Sequence, residues 1–401
     1  MKLHRNLCVA VIAGTKDILL DKKQADTTVS NLLQSNKSWG ARDRNFIADN
    51  IYGLVRYKRL YEFCMGDEMF GEVSLWKMFG IKLILDGIEL PAWDEFALLN
   101  KDEVLSRSEE AKSIRKIRES IPDWIDELGQ KELGAEWDAE IAALNTKAKL
   151  SIRVNTLKTN RGLVKNIFKE EALDFSEVEG APDALIINAR KNFRTHKAYQ
   201  NGLFEIQDVS SQLIGPFLEP APGMNIIDGC AGAGGKSLHI SALMQNTGEI
   251  LSVDIHQNKL DELQRRAVKA GCKNIKTFHA DKLNGHKQGL LQSFADRILL
   301  DVPCSGTGVL RRKPDAKWSL TPLFIAELKL AQRQILEEYA PMLKTGGLLV
   351  YSTCSIMPSE NELQVKAFLE KHSNFELVED KRISPAATGF DGFYMAKMRK
   401  I

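Results

Sequence analysis

Two cysteines in this chain stand where strands should end. Asp301-Val302-Pro303-Cys304-Ser305-Gly306-Thr307-Gly308 follows the apolar run Ile298-Leu299-Leu300, and Ser352-Thr353-Cys354-Ser355 follows Leu348-Leu349-Val350-Tyr351. A lone cysteine after a strand usually acts as a small apolar filler. A pair of them beside a ligand-binding turn points to chemistry, because neighbouring parallel strands bring their carboxyl ends together. A thiolate is a strong nucleophile whose ionisation its surroundings control, which suits covalent catalysis. From composition and spacing alone, either cysteine can be the nucleophile.

The ligand-binding turn is Asp228-Gly229-Cys230-Ala231-Gly232-Ala233-Gly234-Gly235-Lys236-Ser237. Glycines there let the backbone approach a ligand and adopt positive φ, and the N–H groups of the following helix favour a carboxylate or phosphate. A phosphate-binding loop requires glycine where Cys230 stands, and a dinucleotide fingerprint requires its third glycine where Ser237 stands. The remaining candidate is S-adenosylmethionine, with its carboxylate against the turn. Asp254 ends the next strand and can accept hydrogen bonds from both ribose hydroxyls. Asp281 ends the strand after that and can face the adenine amino group. Capping a turn or a helix is the plainer alternative for both acids.

A thiol beside a methyl donor suits one reaction well. Carbon 5 of cytosine is a poor nucleophile until a thiolate adds at carbon 6 and breaks the ring's conjugation; it can then take the methyl group. Asp301 is placed to protonate ring N3 as the thiolate adds. Methylation of an exocyclic amine needs no cysteine and usually uses an Asn/Asp-Pro-Pro-aromatic clamp, which this sequence lacks.

The elements that must position these groups follow from periodicity. Short apolar runs at 224–228, 248–254, 275–281, 294–301 and 346–354 read as strands separated by helices, an α/β Rossmann-like domain with a mostly parallel sheet over 208–401. Alternation at 150–155, 184–187 and 202–207, with a helix near 159–170, marks a small α+β module over 146–207. Residues 1–145 read as helical. Phe46, Ile47, Ile51, Leu54 and Val55 share one stripe, while Arg56, Lys58 and Arg59 lie on a face that suits solvent or RNA equally. Ser120-Ile121-Pro122-Asp123-Trp124 reads as a helix start, with Trp124 a core anchor.

With 401 residues the chain is long enough for two or three domains. Lys plus Arg number 55 against 53 for Asp plus Glu, so RNA contact must rest on local runs such as Arg311-Arg312-Lys313, while Trp318 suits packing. The six scattered cysteines form no CxxC pair, which argues against a thiolate metal site and for free thiols in a reducing cytoplasm. The short apolar run at 7–14 could be misread as a signal peptide, but charges soon follow it and a first packed helix is the better reading; no stretch approaches the roughly 18 apolar residues of a membrane span.

These residues resemble the cytosine-5 RNA methyltransferase family, which includes bacterial small-subunit ribosomal RNA enzymes and eukaryotic nucleolar and transfer-RNA enzymes. The likeness is carried by the two cysteine motifs and by Arg311-Arg312-Lys313-Pro314-Asp315 with Trp318. Pro358, Glu360, Asn361 and Glu362, Phe390-Asp391-Gly392-Phe393-Tyr394, and Gln207-Asp208-Val209-Ser210-Ser211 extend it. Arg153-Val154-Asn155-Thr156 resembles the opening of the family's small module, and the region before it a divergent helical RNA-binding domain. The resemblance implies that Cys354 attacks and that Cys304 helps release the product; a DNA enzyme would reverse these roles. It also implies that Cys230, Ala231, Gly232, Ala233, Gly234, Gly235, Lys236, Asp254, Asp281 and Asp301 bind S-adenosylmethionine. RNA contact by Arg311, Arg312 and Lys313 is expected, with ribosomal RNA first and transfer RNA second as substrate. A non-catalytic ribosome-assembly factor is the rival from another class, and the three intact reactive residues argue against it. The family's turn reads Ala-Pro-Gly-Gly-Lys, and Ala233 replaces its proline. The freed φ should soften the turn and slightly weaken cofactor binding.

Overall fold

The computed structural model describes residues 3–66, 71–188, 193–283, 289 and 291–401. The chain divides into two units, one of residues 1–146 with 310–322 and the other of residues 147–309 with 323–401.

The first unit is helical. Helix Ala41–Arg56 buries Ile47, Ile51, Leu54 and Val55 at helical spacing, and Arg5–Leu19 and Glu72–Leu85 supply much of the core around it. The basic residues after the apolar stripe turn out to be structural. Arg56 donates to the carbonyl of Arg311 at 2.8 Å, and Arg59 pairs with Asp123 at 2.7 Å and donates to the carbonyl of Ile121 at 2.6 Å. Pro122 caps helix Asp123–Leu133, as its sequence suggested, and Trp124 is half-buried.

The second unit holds two sheets. Strands β1 (Leu150–Val154), β2 (Phe175–Glu177), β3 (Ala184–Ile187) and β4 (Phe204–Ile206) form an antiparallel sheet in the order β2-β3-β1-β4. Helix Arg161–Glu170 contributes Val164 and Phe168 to its core with Phe193 and Phe204. The larger sheet contains β5 (Asn225–Asp228), β6 (Glu249–Asp254), β7 (Ile275–His279), β8 (Ala295–Asp301) and β9 (Leu343–Thr353), all parallel. Two further strands, β10 (Phe375–Ile383) and β11 (Phe393–Lys400), are antiparallel. The order is β10-β11-β9-β8-β5-β6-β7. The chain therefore winds outward in one direction from β5 through β7 and in the other through β8 and β9. This places a switch point at the carboxyl ends of β5 and β8, where such folds bind ligands.

The β10–β11 pair was not evident in the sequence. Most of β10 is exposed, so it carries no apolar alternation, and β11 is buried over a continuous run. No helix among the described residues is long and apolar enough to cross a membrane.

Candidate active site

The glycine-rich turn follows β5 into helix Gly235–Leu243. Gly232 has φ +54°, and the N–H of Gly234 closes a β-turn onto the carbonyl of Ala231 at 2.9 Å. A side chain at 232 would meet no atom within 4 Å, so the backbone faces open space there. Asp254, at the end of β6, accepts from the N–H of Gly232 at 2.8 Å and from that of His256 at 2.9 Å. It is thus a turn cap, with its carboxylate held against the glycine loop. An open backbone cradle, a helix N-terminus and an acid at the next strand end fit the carboxylate and ribose of S-adenosylmethionine.

Two arginines brace this turn from behind. Arg153 of β1 donates to the carbonyl of Gly235 at 2.7 Å and also bonds Gln207 Oε1. Arg266 of helix Gln257–Ala270 donates to the carbonyl of Ala233 at 2.6 Å and pairs with Glu205 of β4 at 2.9 Å. The small antiparallel sheet therefore supports the cofactor turn directly. Asp228 ends β5 and accepts from Ser237 Oγ at 2.6 Å, while its other oxygen is buried without a partner. Burial pushes its carboxyl up to about 6. Cys230 lies partly exposed after Asp228, its thiol pushed well up by burial and then by the charge of Asp228. Asp281 lies just past β7 with its side chain 82% exposed and beside His279.

The two cysteines and Asp301 meet at the ends of β8 and β9. Cys304 Sγ and Cys354 Sγ are 3.3 Å apart and both cysteines are free. The hydrogen bond with Cys354, followed by burial and the charges of Cys354 and Glu360, holds the Cys304 thiol well above its ordinary value. Cys304 thus stays protonated beside its neighbour. Asp301 Oδ2 pairs with Lys236 Nζ at 2.5 Å, and its Oδ1 accepts from Ser352 Oγ at 3.0 Å. Lys236 thereby ties the glycine-rich turn to the end of β8. Gly308 donates to the carbonyl of Cys354 at 2.9 Å, and a side chain there would strike that oxygen and the carbonyl of Gly392.

The basic run departs from expectation. Arg311 is only 3% exposed, and its guanidinium donates to the carbonyl of Ala143 at 3.0 Å. It packs the helical unit, and phosphate contact by its guanidinium would require it to leave that site. Arg312 is half-buried and Lys313 exposed. Trp318 donates to the carbonyl of Val55 at 2.7 Å, a packing role. Among the described residues no group of acids, cysteines and histidines is arranged to hold a metal.

A glycine-rich turn at a sheet switch point, with an acid at the next strand end, fits the class of S-adenosylmethionine-dependent methyltransferases, to which the fold belongs. Comparison with known proteins narrows this. Residues 216–399 match the family described as 16S rRNA methyltransferase RsmB/F, and residues 121–194 match the ferredoxin-like domain of RsmF/B-like methyltransferases. The chain is 35% identical over 299 residues to the "Probable ribosomal RNA small subunit methyltransferase B" of Synechocystis, covering 70% of this chain and 67% of the relative. The chain belongs to this family of 16S rRNA methyltransferases. It spans about two thirds of the length of the curated relatives it matches, 67% of that protein and 66% of the Bacillus subtilis one. A methyltransferase homologue from Pyrococcus horikoshii superposes with TM-score 0.64 at 28% identity, covering 72% of this chain and 98% of its own. The crystal structure of PH0851 shares the fold over 100% of both chains, with TM-score 0.85 at 23% identity.

Sequence reasoning missed the two arginine braces: Arg153 stood out only as the opening of the family's small module, and nothing local distinguishes Arg266 from other cations. It noted Glu360 only as part of a matching motif.

Proposed function

We propose that this protein transfers a methyl group from S-adenosylmethionine to carbon 5 of a cytosine in 16S ribosomal RNA, in the cytoplasm, through a covalent adduct at Cys354. The observation that carries this reading is the 3.3 Å approach of the Cys304 and Cys354 sulfurs at adjacent strand ends beside the switch point. The bound cofactor supplies an electrophilic methyl on a sulfonium. Residues 230–236, Asp254, Asp281 and Asp301 would hold it, with Asp254 also shaping the turn.

Cys354 Sγ bonds to carbon 6 while Asp301 passes a proton to ring N3, with the Lys236 ammonium as an adjoining proton source. Carbon 5, now enamine-like, takes the methyl group. Its proton is then lost to a base, the N3 proton returns to Asp301 and the sulfur–carbon bond breaks. One proton is released overall. Cys304, beside the departing sulfur, assists that last step. The target cytosine must leave any stack to expose carbon 6. Lys313 is the member of the basic run we assign to phosphate contact.

The test uses labelled cofactor and in-vitro-transcribed 16S rRNA. Cys354→Ser should abolish methyl transfer and adduct formation. Cys304→Ala should slow turnover and accumulate a protein–RNA adduct visible on a denaturing gel. Full turnover by Cys354→Ser would overturn the mechanism, and adduct formation through Cys304 in that variant would favour the DNA-enzyme arrangement.

A further inference from the structure

We propose that Glu360 is a positioning residue for this reaction, a single buried carboxylate that clamps the Cys304 and Cys354 loops together and keeps their roles distinct. The proposal rests on the reading of Cys354 as nucleophile.

Glu360 is 0% exposed, and among the described residues no lysine, arginine or histidine pairs with it. A carboxylate buried without a cation is costly unless hydrogen bonds satisfy it. Its Oε1 accepts from the N–H of Ser305 at 2.8 Å and from Gln332 Nε2 at 3.1 Å. Its Oε2 accepts from Ser305 Oγ at 2.5 Å and from Ser355 Oγ at 2.6 Å. One carboxylate thus binds the residue after each cysteine.

The residues before the cysteines are held by its neighbours. Gln332 Nε2 also donates to the carbonyl of Pro303 at 3.0 Å. Asn361 takes the hydroxyl of Thr353 at 2.5 Å and donates to the carbonyl of Ser355 at 3.0 Å. The glutamate is itself moored to β9, since Tyr351 donates to its carbonyl at 2.6 Å. Both thiols are bracketed by this one cluster, and the sulfur separation follows from it.

The charge acts in the same direction. Cys354, Glu360 and the buried phenol of Tyr351 are the titratable groups facing Cys304. A carboxylate there disfavours a second negative charge on Cys304, which stays a thiol able to donate toward Cys354. A well-ordered pair with one protonated member is what adduct formation and release require.

The experiment compares Glu360→Gln, which keeps shape and removes charge, with Ser355→Ala, which removes one clamp bond and keeps the charge. Methyl transfer is measured with in-vitro-transcribed 16S rRNA, and the adduct is trapped on the same RNA carrying 5-fluorocytosine. Cooperative melting and cofactor calorimetry check folding. Glu360→Gln should lower kcat about 10- to 100-fold, as expected when reacting groups are misplaced. Its KM for RNA and Kd for cofactor should stay within about threefold of the wild type. In a Cys354→Ser background, Glu360→Gln should shift the pH midpoint of Cys304 alkylation by iodoacetamide downward, which lost packing alone would not do. Ser355→Ala should lower kcat with that midpoint unchanged.

A folded Glu360→Gln protein with wild-type kcat and an unmoved midpoint would overturn the proposal. Should Glu360→Gln not fold, wild-type turnover by both Ser355→Ala and Gln332→Leu would overturn it. Failure of the underlying reading looks different, because the wild-type protein would then trap no RNA on Cys354. Failure of the clamp alone leaves wild type and variants trapping equally.

Discussion

Asp228 shows how a single residue couples the site to pH. Its carboxyl moves from the ordinary 3.8 to about 6 because it is buried at the end of β5 with one oxygen unpartnered. Between those values the folded chain holds a proton that the unfolded chain has released. Stability therefore falls as pH rises through this window, by on the order of 3 kcal/mol once both states are ionised. Asp228→Asn removes the effect. Its Tm, measured without cofactor relative to wild type, should become more favourable between about pH 4 and pH 7.5. A difference that does not change with pH would show that Asp228 titrates normally. The identity of this residue was legible in the sequence as the strand-ending acid, but its burial was not. The same holds for Arg311, whose place in a basic run suggested phosphate and whose guanidinium instead meets the carbonyl of Ala143.

Among elements, the cofactor turn depends on more than its own residues. Ala233 stands where the family has proline, and a softer turn was the expectation. In the structure Arg266 holds the Ala233 carbonyl, and Glu205 orients Arg266. A hydrogen bond through a buried ion pair thus restrains what a proline ring would otherwise restrain. Arg266→Lys keeps a charge for Glu205 but cannot bridge both partners. It should weaken cofactor binding about tenfold by calorimetry. Adding Ala233→Pro should recover most of that loss, since proline fixes φ without the brace. An unaltered Kd in Arg266→Lys would show that the turn is rigid by itself. The parallel strands and the small antiparallel sheet were readable from apolar runs and alternation. Strands β10 and β11 were not, since the first is exposed and the second buried on both faces.

At the scale of the whole molecule, the chain leaves the catalytic unit after Val309 and returns at Leu323, and the excursion completes the helical unit. Lys317 is 1% exposed there, with its Nζ near Asn145 Oδ1 at 3.3 Å and the carbonyl of Glu119 at 3.4 Å. Burial, with Arg56 nearby, holds the amine well below its ordinary 10.5. Below that value the unfolded chain binds a proton the folded chain lacks, so stability rises as pH climbs toward 10.5. Lys317→Met removes this dependence. Its Tm relative to wild type should be most favourable near neutral pH and decline toward about pH 10, and a constant difference would refute a shifted lysine. Strand periodicity and short motifs are local and survive without a partner, so the parallel α/β core, the glycine-rich turn and the two cysteine motifs were legible in the residues alone. Folding alone settles that the two sulfurs touch, that Glu360 spans their loops, that a module far upstream braces the turn and that Arg311 and Lys317 point inward. Each of these is a contact between distant segments, and burial and pairing depend on what the folded chain places opposite a residue.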